Sequence, residues 1–264
     1  MPISIRPLHP VFAGEVAGID CRKPLTSGEI DAVEAGMNEY AVLIFCDQNL
    51  TDEEQIAFTR HFGELENYNT PGHVRKREDQ RLGPGIADFS NLDKHGNIMS
   101  DEDRVWFFKL GDRLWHSDSS FRPIPAKYSL LSARVLPSWG ANTEFADMRA
   151  AYDALDNRTK AEIEDLVCEH SLIYSREAIG FAADAGGSRG LPAGAAAAGA
   201  DSSGDRPQII VPVLACRRNC RLDDPRGAYV PARPDRACDS ARVYLFAPVV
   251  APRPGDVGQQ RDDA

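Results

Sequence analysis

The residues of this chain best suited to chemistry are His116 and Asp118, one residue apart in the stretch "LWHSDSSFRPIP" (Leu114–Pro125). On an extended strand, residues i and i+2 project to the same side. One imidazole and one carboxylate can then bind adjacent corners of a metal ion. A distant histidine would complete a 2-His-1-carboxylate facial triad, leaving open positions for non-haem Fe(II), a chelating co-substrate and O2. Mixed nitrogen and oxygen donors with an open face suit iron better than a closed structural zinc site. The third donor is missing. The six histidines stand at positions 9, 61, 73, 95, 116 and 170, and the last 94 residues contain none. The bare His-x-Asp pattern also arises by chance, and it is then a solvated or capping pair. Ser120, two residues past Asp118, is either a same-side contact for substrate or a simple polar strand residue.

These side chains need elements to hold them. "YAVLIFC" (Tyr40–Cys46) is a short apolar run rich in strand formers. "LTDEEQIAFTRHFGEL" predicts a helix with Thr51 as N-cap, Glu54 at the capping-box position, and Ile56, Phe58 and Phe62 among its apolar residues. Residues 66–112 are polar and rich in glycine and charge, which predicts a mobile, lid-like loop region. "KYSLLSARV" predicts a buried strand. "DMRAAYDALDNRTKAEIEDLVCEHSLIY" predicts one or two helices, broken near Asp156–Asn157, with His170 in helical text and so a poor substitute ligand.

Length and charge bound the rest. A chain of 264 residues fits one large or two small domains. A net charge of −10 argues against nucleic-acid and anionic-membrane surfaces. No apolar run reaches the ~20 residues of a membrane span, and "MPISIRPLHPVF" lacks a signal-peptide core. The expectation is a cytoplasmic protein without nucleic-acid or membrane partners. Six cysteines, at 21, 46, 168, 216, 220 and 238, form no CxxC pair and are expected to be reduced.

After Phe181 the composition changes abruptly. Residues 182–264 contain no Lys, Glu, His, Met or Trp; their eleven basic residues are all Arg and their ten acidic residues all Asp. Such an Ala/Pro/Arg/Asp-rich segment predicts disorder. Losing Lys and Glu together also suggests GC-rich DNA read in the wrong frame. Codons for this tail can be chosen so that a shifted frame reads through "DLVMWDN" to "ATMH". The sequence thus predicts a frameshift near residues 175–190.

The text around the pair carries a resemblance. "LWHSDSSFRPIPAKYSLLSARV", "GANTEFADMRAAYDALDNRTKAEIEDLVCEHSLIYSR" and the opening "GEVAGIDCRKPLTSGEIDAVEAGMNEYAVLIFCDQNLTDEEQIAFTRHFGELE" resemble the taurine dioxygenase / 2,4-dichlorophenoxyacetate dioxygenase (TauD/TfdA) family. The phenoxyacetate-type members are the nearest, and residues 5–181 are covered. The resemblance implies a mainly β fold with flanking helices, a double-stranded β-helix (jelly roll), incomplete at the C-terminus. Residues 1–181 would be its N-terminal part and 182–264 the anomalous tail.

It also implies Fe(II)- and 2-oxoglutarate-dependent chemistry with O2: hydroxylation of an aliphatic carbon of a small carboxylate. In phenoxyacetate-type members the hydroxylated ether collapses to a phenol and glyoxylate. His116 and Asp118 match the first two iron ligands. Thr143 matches the threonine that hydrogen-bonds 2-oxoglutarate, the alternative being a plain strand or turn threonine. One of Lys94, His95, Lys109 and Arg113 would pair with a substrate carboxylate; taken singly, each is a solvated surface charge. Trp115 is expected to pack. The distal histidine, and the arginine for the far carboxylate of 2-oxoglutarate, have no counterpart here, so activity would be impaired. Two other readings stand beside this one: a non-catalytic remnant, and a binding module with a genuine disordered tail. A homo-oligomer is an open expectation.

Overall fold

The computed structural model describes residues 2–66, 80–122, 125–136, 143–164, 167–177 and 179–180, together with the backbone of five short strands between 194 and 246. The chain starts with a hairpin. Strand β1 (Ser4–Pro7) pairs antiparallel with β2 (Gly14–Ala17), with Ser4 opposite Ala17 and Pro7 opposite Gly14. Helix α1 (Ser27–Tyr40) follows, and Thr26 and Glu29 close a reciprocal capping box at its start. Ile30, Val33 and Met37, spaced for one helical face, turn toward the sheet. The helix ends at Ala41 in a left-handed conformation, φ 59°, with its N–H on the carbonyl of Met37.

That turn delivers β3 (Val42–Phe45), the strand expected within "YAVLIFC". It runs parallel to β2, and its continuous apolar text matches its central place in the sheet. Helix α2 (Asp52–Arg60) then starts at Thr51, whose hydroxyl accepts from the Glu54 N–H at 3.2 Å while the Glu54 carboxylate accepts from the Thr51 N–H at 2.8 Å. Both capping partners are those the sequence predicts. Phe45, Phe58 and Phe62 meet edge to face at 5.3–5.6 Å between ring centres, and Tyr128 extends the row. With Val16, Cys21, Val33, Met37, Leu43 and Leu50 they form the core between sheet and helices. Burial pushes the Cys21 thiol up to about 12, and neither Cys21 nor Cys46 is in a disulfide.

Beyond the core the chain builds the supports of the site. Helix α3 (Arg104–Lys109) is capped by Asp103 and continues into a 3-10 turn, Leu110–Arg113. Strand β4 (Ser129–Ser132) joins the main sheet. Next come β5 (Phe145–Ala146), α4 (Met148–Asp153), α5 (Asn157–Ile163), β6 (Val167–His170) and α6 (Leu172–Glu177). The break between α4 and α5 falls where expected, with Asp156 as the new N-cap.

The last five strands are β7 (Gly194–Ala197), β8 (Gly199–Asp201), β9 (Gln208–Ile210), β10 (Tyr229–Val230) and β11 (Val243–Phe246). They lie within the segment whose composition predicts disorder. The main sheet has the order β1-β2-β3-β11-β4, with β11 antiparallel to both neighbours; β10 pairs with β5, β6 with β7, and β8 with β9.

Two expectations need correction. Val167–His170 is a strand, not helix, because antiparallel pairing with Gly194–Ala197 overrides its local pattern. Within the segment read as a mobile loop, residues 80–112 carry α3, an Arg81–Asp88 ion pair, the Leu92–Ile98 bridge and buried Met99. Its charges are spent on local turns: Asp93 accepts from the N–H groups of His95 and Asn97 at 2.8 Å each.

Candidate metal and co-substrate site

The His-Ser-Asp segment is not on a strand, as its spacing suggests. Leu114 leaves the 3-10 turn in an extended conformation, and the chain turns again at 118–121. Ser119 takes a positive φ of 58°, and the Arg122 N–H closes the turn on the Ser119 carbonyl at 2.9 Å. Asp and Ser favour such turns, and here they outweigh strand pairing.

The pair nevertheless converges. His116 Nε2 stands 3.2 Å from Asp118 Oδ1. His116 Nδ1 donates to the Leu114 carbonyl at 2.6 Å, which leaves Nε2 as the nitrogen facing the carboxylate. Asp118 Oδ2 accepts from the Ser129 hydroxyl at 2.8 Å. Strand alternation explains that bond: Tyr128 and Leu130 pack on the core, so Ser129 between them points to the opposite face.

The hydrogen bond to Asp118 raises the His116 pKa. Burial pushes Asp118 up, but hydrogen bonds from His116 and Ser129 outweigh it and hold the carboxyl below its ordinary range. Two donors at adjacent corners of an octahedron with bonds of ~2.1 Å stand about 3 Å apart. The separation and the anchored partners therefore fit two donors of a divalent metal, which would displace the shared proton. Among the described residues no group of three His, Cys, Asp or Glu could hold a metal.

Four further contacts fix the segment. Glu66 accepts from the Ser119 hydroxyl at 2.9 Å and pairs with Arg122 at 2.7 Å. Arg176 Nη2 donates to Asp112 Oδ1 at 2.5 Å. His170 Nδ1 lies 3.0 Å from Ser120 Oγ. Sequence reasoning singled out none of Glu66, Ser129, Asp112 or Arg176. Their partners lie 11 to 64 residues away, a relation that a single sequence does not display.

The remaining expected site residues are spread out. Ser120 is 8 % exposed, and its hydroxyl lies between the Ser117 carbonyl, to which it donates at 3.2 Å, and His170. Thr143 is exposed, two residues before β5, and no described contact joins it to the His116–Asp118 pair. Lys109 donates to the Ser90 carbonyl at 2.6 Å. Lys94 and His95 are exposed in the turn after Asp93. The Arg113 backbone ends the 3-10 turn, while its side chain and all of His73 lie outside the described residues. Trp115, expected to pack, is 43 % exposed. His61 Nε2 accepts from the Leu25 N–H at 3.2 Å. No helix of the described residues is long and apolar enough to cross a membrane.

Comparison with known proteins identifies the family. The family model "Taurine catabolism dioxygenase TauD, TfdA family" matches residues 4–237, past the change in composition at 182. The alpha-ketoglutarate-dependent 2,4-dichlorophenoxyacetate dioxygenase of Cupriavidus pinatubonensis is 42 % identical over 180 residues, covering 68 % of this chain and 62 % of that protein. The (S)-phenoxypropionate/alpha-ketoglutarate-dioxygenase of Sphingobium herbicidovorans is 40 % identical over 178 residues, covering 67 % and 56 %. The chain thus spans about three fifths of the length of these curated relatives. The crystal structure of AAD-2 in complex with Mn(II) and N-oxalylglycine superposes with a TM-score of 0.83 at 43 % identity, over 94 % of this chain and 89 % of that one. The fold is accordingly the expected jelly roll with flanking helices, and the chain belongs to the TauD/TfdA dioxygenase family.

Proposed function

We propose that this chain derives from an Fe(II)- and 2-oxoglutarate-dependent dioxygenase acting on a small carboxylate of the phenoxyacetate type. The observation that carries the reading is the convergence of His116 Nε2 and Asp118 Oδ1 at 3.2 Å, each anchored from behind. The names of the relatives supply the co-substrate and the substrate class. His116 and Asp118 would hold the iron, which with 2-oxoglutarate and O2 supplies the oxidising power for hydroxylation. Leu114 fixes the imidazole tautomer, and Ser129 keeps the carboxylate ionised and oriented. Thr143 would hydrogen-bond the co-substrate. Ser120, Lys94, Lys109 and Arg113 are the candidates for a substrate carboxylate; Lys109 would first have to leave the Ser90 carbonyl.

This 264-residue sequence has no histidine after His170. Any third histidine ligand of the distal kind must therefore come from outside these residues, and iron held by two protein donors should bind weakly. The composition after Phe181 supports a reading-frame change near 175–190 as the cause. The test compares two chains in Fe(II)-dependent release of a phenol from 2,4-dichlorophenoxyacetate: this 264-residue chain, and one with the frame restored after resequencing codon 170 onward. The expected result is turnover in the restored chain and little in the present one. If the DNA encodes this same sequence and no other frame continues the family text, the frameshift is wrong. Turnover in neither chain would favour a non-catalytic remnant.

A further inference from the structure

Both proposed metal donors lie between two buried side chains supplied by a later part of the sequence. Ahead of them stands Asp112, held by Arg176 from α6 at 2.5 Å. Behind them stands Ser120, held by His170 at the end of β6 at 3.0 Å. Arg176 is 6 % exposed and His170 1 %. The Arg176 guanidinium also lies over the Phe108 ring, 4.7 Å from its centre. Room for it comes from Gly111, where a Cβ would fall 2.1 Å from Arg176 Nη1 and 2.4 Å from its Cδ and Cζ. At the other end the Ser120 hydroxyl donates to the Ser117 carbonyl, so His170 Nδ1–H donates to Ser120 Oγ, and the turn around Asp118 is cross-tied. His170 Nε2 has no hydrogen-bond partner among the described residues.

We propose that His170 and Arg176 are positioning residues: β6 and α6 clamp residues 112–120 at both ends and hold His116 and Asp118 in register with each other. The proposal rests on the reading of those two side chains as metal donors. The clamp acts through single atoms, the Nδ1–H of His170 and the guanidinium of Arg176. That gives it a signature beyond packing. Asparagine places an amide N–H where Nδ1 stands, whereas glutamine reaches toward Nε2, the atom without a partner. His170→Asn should therefore preserve the clamp and His170→Gln should not.

The test is hydrogen–deuterium exchange of the metal-free chain, read by peptide, followed by Mn(II) titration of the same proteins. His170→Ala, His170→Gln and Arg176→Met are each expected to speed exchange in peptides spanning 113–122 by about tenfold or more. Peptides across α1 and β3 should exchange as in the parent, and His170→Asn should behave like the parent throughout. Mn(II) affinity is expected to fall about tenfold in the first three variants, the low end for loss of a group that orients a ligand. Unchanged exchange at 113–122 in both His170→Ala and Arg176→Met overturns the proposal. So does an equal effect of His170→Asn and His170→Ala, or loosening spread evenly over α1 and β3. If exchange changes as expected but the parent chain binds no Mn(II), the clamp stands and the metal-donor reading falls.

Discussion

Replacing Ser129 with alanine removes one oxygen from the support of Asp118 and little else. Tyr128 and Leu130 on either side carry the core packing of this part of the sheet, and the hydroxyl points away from them to Asp118 Oδ2 at 2.8 Å. A hydrogen bond to a charged group contributes about 1.5–3 kcal/mol when buried. The Asp118 side chain is 31 % exposed, so water recovers part of that, and the lower end applies. A loss of about 1.4 kcal/mol in the orientation of a ligand is about tenfold in metal affinity, at the lower edge of what groups behind metal ligands contribute. The assay is the free Mn(II) signal in electron paramagnetic resonance at neutral pH, titrated against the parent, Ser129→Ala and Ser129→Thr. Threonine keeps the hydroxyl and suits a strand. The expected order is parent close to Ser129→Thr, with Ser129→Ala about tenfold weaker. Equal affinity in all three, or equal loss in both variants, would refute the account of how Asp118 is held.

Thr51→Ala breaks the capping box of α2 and should cost about 1 kcal/mol, a fall of roughly 2–4 °C in melting temperature for a chain of this size; no fall in a thermal scan would contradict the assigned cap. His170 is held neutral by burial, which lowers its pKa in the folded state. Below pH 6.5 the unfolded chain takes up a proton that the folded chain refuses, so stability drops as pH falls through that window and gains nothing from this group above it. Urea midpoints at pH 7.5 and 5.5 should therefore converge less for the parent than for His170→Asn, and an identical pH dependence in the two would exclude the effect.

Local signals carried much of the first half of the fold into the sequence. The Thr51–Glu54 box, the apolar run of β3 and the Asp156 cap each depend on residues within a few positions, and each is where the text puts it. The His116–Asp118 contact was legible for the same reason, only one residue lying between the two. Their backbone was not, because Ser119 adopts a positive φ that a short serine-rich stretch does not announce. Val167–His170 misled because a strand of four residues borrows its pairing from a partner far along the chain. The clamp residues were hidden for a related reason. Arg176 and Asp112 are 64 residues apart, and a buried arginine looks in sequence like any surface arginine.

The most direct test of the central claim, that His116 and Asp118 are metal donors, is the absorption of Co(II) added to the parent chain, to His116→Ala and to Asp118→Ala. Substitution of these partly exposed side chains leaves the core between sheet and helices intact. The account predicts a saturable visible band in the parent that each single substitution abolishes. A band of equal intensity and affinity in the parent and both variants would contradict it, and the His116–Asp118 contact would then be an ordinary ion pair.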